Sequence, residues 1–161
     1  MSEEERYTLQ EAHAHFARSV NGEVWALLEK AERTPDEDER MVHAAHASLY
    51  HWLFAGGIVN QQRGEWLIAH VYAELGVAEA ALRHAGRCHR LTEQYAAQME
   101  DFDWAYAYEA LARAHAVAGD VVAATQYLQQ ARDAGEAIAD AESKSLFSAD
   151  LAAGNWGGLR V

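Results

Sequence analysis

At 161 residues the chain has the length of one domain. Its 13 Lys and Arg stand against 25 Asp and Glu, a net charge of −12, which excludes a nucleic-acid binder, since phosphate contacts need a basic face. Its longest apolar run, Trp52 to Val59, is interrupted by Gly56-Gly57 and falls far short of the roughly twenty residues of a membrane span, so no membrane partner is expected. The acidic start Met1-Ser-Glu-Glu-Glu-Arg6 predicts no signal peptide, and the single cysteine, Cys88, excludes an internal disulfide. Both features predict a cytoplasmic protein.

An Ala-rich composition with a single proline, Pro35, predicts an all-helical chain. From Tyr7 to Ala31 the apolar residues Phe16, Val20, Val24, Leu27 and Leu28 recur at helical spacing and predict one amphipathic face, with Gly22 tolerated inside it. Thr34-Pro35-Asp36-Glu37 is a helix start. A capping hydroxyl precedes proline at the first helical position, and a Glu three residues after the cap returns the hydrogen bond. That helix is expected from Pro35 to Ala55, stopped by Gly56-Gly57. Further helices are expected at Ile58–Leu75, Val77–Met99, Phe102–Ala118, Val121–Ile138 and Ala141–Ala153. Residues 1–153 are read as a single helical domain and 154–161 as a C-terminal tail.

Gly76 and Gly119 lie 43 residues apart, and their surroundings align. The second copy reads Tyr108-x-x-Leu111-Ala112-x-x-His115, then Gly119-Asp120, Ala124-x-x-x-Leu128 and Ala131. In the first, Trp66, Ile68-Ala69-x-x-Tyr72, Gly76, Ala81 and Cys88 occupy the comparable places. This pattern resembles a tetratricopeptide repeat, best over residues 60 to 135, with a period longer than the usual 34 and without the closing proline. The stretches His43-Ala-Ala-His46-Ala-Ser, Arg63-Gly-Glu65-Trp66-Leu and Asp101-Phe-Asp103-Trp also resemble an uncharacterised family of bacterial repeat-like proteins, a likeness that carries no activity. What the resemblance implies is an all-α fold of antiparallel helix pairs stacked as a short right-handed superhelix. Its first helices would line a concave groove with Arg63, Trp66, His70 and Glu74 from one repeat and Tyr106, Glu109 and Arg113 from the next. Trp, Tyr and Arg are the residue types that anchor binding in desolvated pockets. The resemblance therefore implies a non-enzymatic scaffold that binds a protein segment or peptide, with no cofactor. Grip on a C-terminal carboxylate, as in chaperone adaptors of this fold, is not implied, because Leu67, Glu74, Ala110 and Val117 stand at the turns that would carry Lys and Asn.

Nine histidines raise a second reading, a small-molecule or metal-binding protein with catalytic potential. Glu39, His43, His46 and Tyr50 share one helical face, with His51 following, and His43, His46 and His51 are the candidate metal ligands. Two ligands from one helix make half a site, and neither a His-Glu-x-x-His nor a Glu-x-x-His motif is present, so no metal is the leading expectation. Arg63, Glu65 and Trp66 would neighbour the histidines in this reading. Cys88 reads as a buried and inert thiol, and Asp101 and Asp103 as partners of a helix N-terminus. Arg83, Arg87 and Arg90 read as surface pairs with Glu79 and Glu93. Finally, Leu146, Phe147, Leu151, Trp156, Leu159 and Val161 are too many large apolar groups for a solvated end. They must fold back on their own helices or meet a second chain, and a homodimer is the expected solution.

Overall fold

A computed structural model describes residues 6–161, which form seven α-helices and no strand. In chain order these are α1 (Leu9–Leu28), α2 (Pro35–Ala55), α3 (Ile58–Glu74), α4 (Ala78–Gln94), α5 (Asp101–Val117), α6 (Val121–Glu136) and α7 (Ala141–Ala152). None of these helices is long and apolar enough to cross a membrane. The chain divides into two compact units, one ending at Gly64 and the other running from Glu65 to Val161.

In the first unit α1 and α2 pack along each other, both opened by a reciprocal cap. Thr8 Oγ1 accepts from Glu11 N at 3.2 Å while Thr8 N donates to the Glu11 carboxylate at 2.8 Å. Thr34 and Glu37 repeat the arrangement at 3.2 and 2.9 Å, each pair satisfying two N–H groups that a helix end leaves open. Removing the second of these hydroxyls, in Thr34→Ala, is expected to cost about 1 kcal/mol, read as a lowered midpoint in a urea titration. The buried stripe of α1 is Ala17, Val24 and Leu27, against Met41, Ala44 and Ala45 of α2. Phe16, predicted on that face, is instead 51 % exposed. The small Ala17 is fully buried, and its carbonyl accepts from the buried Ser48 hydroxyl of α2 at 2.9 Å.

The second unit holds the internal repeat. Both of its helix pairs turn on the same motif. After α3, Val77 N donates to Tyr72 O at 2.8 Å and Gly76 N to Ala73 O at 3.0 Å; after α5, Asp120 N donates to His115 O and Gly119 N to Ala116 O, both at 3.0 Å. These are Schellman turns, whose left-handed residue is a glycine at φ +73° (Gly76) and +80° (Gly119). Ring pairs repeat with the same 43-residue offset and the residue types exchanged. Tyr72 stacks on His84 at 5.9 Å, and His115 stacks on Tyr127 at 5.5 Å. Alanines line the seam: Ala69 and Ala73 of α3, Ala81 and Ala85 of α4, and Ala110 and Ala114 of α5 share one cluster with Leu111. Small side chains there let the helices approach closely, and Trp66, Tyr72, Leu82 and Tyr127 fill the flanks.

α4 ends earlier than its pattern predicts. Tyr95 leaves the helical region (φ −119°, ψ 35°), and a 3-10 turn at Ala96–Gln98 leads into the start of α5. α7 packs on α5 and α6 through Phe147, in a cluster with Ala105, Ala131 and Ile138. The tail is no loose extension. Trp156, 6 % exposed, is buried among Ala112, Ala116, Ala124 and Leu128, with Leu151 and Leu159 alongside. Of the six C-terminal apolar groups, Phe147 and Trp156 are buried by folding back on the same unit, whereas Leu146 and Val161 remain 59 % and 42 % exposed.

Candidate functional site

Within the second unit, one face of α3 and one face of α5 meet the C-terminal segment. Trp66, His70 and Glu74 follow one another at four-residue steps on α3, and Tyr106, Glu109 and Arg113 at steps of three and four on α5, so each set shares a helix face. Glu109 lies at the centre, 1 % exposed. One of its carboxylate oxygens accepts from Trp66 Nε1 at 2.8 Å and the other from Arg113 Nε at 2.5 Å. The Trp66 ring stacks on His70 at 5.0 Å and meets Tyr106 edge-on at 5.2 Å.

Arg113, also 1 % exposed, spends its remaining donors on main chain. Nη1 donates to Ala153 O at 2.8 Å and Asn155 O at 3.4 Å, and Nη2 to Asp150 O at 3.1 Å. These carbonyls belong to the last turn of α7 and the residues after it. A helix end leaves such groups without partners and at the negative end of its dipole, so a buried guanidinium is the group suited to close it. The guanidinium carbon stands 4.2 Å from the centre of the Trp156 ring, a cation–π contact. Glu74 complements it by accepting from Asn155 N at 3.0 Å, while Asn155 Nδ2 donates to Ala73 O at 3.2 Å. Tyr106 donates its hydroxyl to the Asp150 carboxylate at 2.5 Å, and Trp156 Nε1 donates to Leu151 O at 3.1 Å. Gly154, at φ +81°, makes the close approach feasible, since a Cβ there would lie 2.6 Å from Arg113 Nη1.

Six of the seven residues predicted to line a groove thus converge on one surface, and what lies against them is residues 150–156 of the same chain. The seventh, Arg63, lies in the first unit and lines a separate pocket there with Arg18, Ser48 and Trp52. Asp150, Asn155 and Trp156 were not predicted as site residues. Their one sequence signal is a tryptophan in a glycine-rich tail, a large apolar group that water would not hold.

Burial, opposed by the Glu109 charge, holds the His70 pKa below the ordinary imidazole value. A depressed pKa means that the unfolded chain binds a proton which folded His70 refuses. Stability from this group is therefore full above pH ~6.5 and declines as the pH falls below it. In denaturant titrations between about pH 7 and pH 5, His70→Gln is expected to flatten that acid-side decline relative to the parent. Burial first, and then the bond to Asp150, push the Tyr106 pKa upward and keep its hydroxyl a donor.

The histidines of α2 do not gather. His43 and His46 are exposed, whereas His51 Nδ1 lies 2.8 Å from His13 Nδ1 on α1, one nitrogen donating and the other accepting. Among the described residues no three His, Cys, Asp or Glu side chains are placed to hold a metal ion. Glu65 faces α4 in the second unit, accepting from His84 Nδ1 at 2.6 Å and from Arg87 Nε at 2.8 Å. Arg87, eight and six residues from Glu79 and Glu93, pairs instead across helices with Glu65. Cys88 is fully buried, and burial, with the charges of Glu65, Asp103 and Glu109, pushes its thiol pKa upward, away from the reactive thiolate. Asp101 and Asp103 both bond to main chain: Asp103 accepts from Glu100 N at 2.9 Å and Asp101 from Ala139 N at 2.9 Å. Comparison of the chain with protein families, curated proteins and solved structures gives no match.

Proposed function

We propose that this protein is a non-enzymatic helical-repeat scaffold, of the tetratricopeptide-like kind, that holds a protein segment against the inner faces of α3 and α5. The observation that carries this reading is the buried Arg113, whose guanidinium bonds to three backbone carbonyls of residues 150–155. Main-chain recognition of this sort is independent of the segment's side chains, and the Trp156 ring supplies the apolar anchor beside it. Together they describe a surface able to take a helix end followed by a short extended stretch carrying an aromatic residue. In this chain its own C-terminus fills that place, so a partner segment with the same features would compete with residues 150–156.

The test uses the full-length chain with Asn155→Ala, which loosens the tail by removing the Nδ2 bond to Ala73 O. A fluorescent peptide with the parent sequence of residues 148–161 is titrated against this variant and against the parent. Saturable one-to-one binding, tighter to the variant than to the parent and lost when the peptide carries alanine in place of Trp156, is expected. No saturable binding to either chain, with both still helical by circular dichroism, contradicts the proposal.

A further inference from the structure

Helices α1, α2 and α3 each contribute one stripe to a pocket of about 270 Å³ that lies wholly in the first unit. Arg18 and Asn21 stand three residues apart on α1, Ser48 and Trp52 four apart on α2, and Asn60 and Arg63 three apart on α3. Those spacings put each pair on one helix face. The polar side-chain groups that line it are two guanidiniums, two carboxamides, a hydroxyl and the Trp52 indole N–H, with no carboxylate among them, in a chain whose net charge is −12. Ser48 is 2 % exposed and donates to Ala17 O at 2.9 Å; Arg18 and Arg63 are exposed. The Asn60 carbonyl oxygen accepts from Gly57 N at 3.0 Å, which leaves the NH2 of that carboxamide as its donor end.

We infer that this pocket binds a small organic oxyanion, a carboxylate or a phosphate ester, held by Arg18 and Arg63 with its flat part against Trp52. A guanidinium fork matches the paired oxygens of carboxylate and phosphate, and such charge-assisted bonds are the strong ones. Asn21 and Asn60 add neutral donors beside it. Size restricts the ligand, because the volume lies just below the ~300–1,000 Å³ of ordinary ligand sites. Charge restricts it further. A polymer of phosphates would extend into the repulsion of an acidic surface, whereas a compact anion inside the pocket sits within a Debye length, about 8 Å at physiological salt, of both arginines. This inference is independent of the α3–α5 surface, which belongs to the second unit.

Calorimetric titration of the full chain with inorganic phosphate and with benzoate, in a buffer free of other oxyanions, tests it. Saturable one-site binding of at least one probe is expected, weakened about tenfold or more by Arg18→Gln and by Arg63→Gln. Both side chains are exposed, so the variants should keep the parent's thermal melt, which is checked alongside. Binding of phosphate alone assigns a phosphate ester, and binding of benzoate alone assigns a carboxylate with an aromatic body. Failure of both probes to bind, or binding undiminished in either variant, overturns the inference.

Discussion

Arg113→Ala is expected to lower the free energy of unfolding by about 3–5 kcal/mol, the range for breaking a buried ion pair by removing one partner. The substitution strands the Glu109 carboxylate, 1 % exposed, leaving it the Trp66 Nε1 bond at 2.8 Å. It also frees the carbonyls of Asp150, Ala153 and Asn155. Most of the loss comes from the uncompensated charge. The double variant Glu109→Gln with Arg113→Met should therefore be more stable than Arg113→Ala, because it removes both charges and keeps most of the volume. Urea titrations of the three chains at neutral pH decide the matter; a double variant no more stable than the single one would show that the stranded Glu109 charge is not the main loss.

Trp156→Ala should cost a comparable amount, about 3–5 kcal/mol for truncating a buried aromatic ring. The indole fills the space among Ala112, Ala116, Ala124 and Leu128, and alanines on opposing helices cannot close over the cavity it leaves. Trp156→Phe retains much of the packing while losing the Nε1 bond to Leu151 O, so its cost should be well below that of alanine. Leu146→Ala, at an exposed position of α7 (59 % exposed), should change stability by no more than about 0.5 kcal/mol. A Trp156→Ala chain as stable as the parent would mean that the tail contributes nothing to the fold.

Helix positions were legible because their signals are local. Thr34-Pro35 and Gly56 bound α2 where the sequence placed it, and the same cap logic at Thr8 and Glu11 sets the start of α1, two residues after the predicted Tyr7. The 43-residue repeat was visible as aligned glycines and small residues. Its inverted ring pairs, Tyr72 with His84 and His115 with Tyr127, were not, because type-by-type alignment misses a pair whose members change places. The α3 and α5 face was readable from helical spacing, but its occupant was not. Contacts such as Asn155 with Glu74 span 81 residues, and no periodicity reports where a tail returns. Phe16 was misplaced for a related reason: hydrophobicity ranked it above Ala17, while the position buried against α2, where Ser48 bonds to the α1 main chain, is that of the smaller Ala17.

Amide hydrogen exchange resolved to single residues across 148–161 tests the central claim most directly, namely that the α3–α5 face holds the main chain of residues 150–156. The Asn155 amide, bonded to the Glu74 carboxylate at 3.0 Å, and the Trp156 indole N–H, bonded to Leu151 O at 3.1 Å, are predicted to exchange far more slowly than in an unfolded chain. Arg113→Ala should release both. Exchange of both groups in the parent at the rate of a free peptide, while α3 and α5 remain protected, would contradict the account.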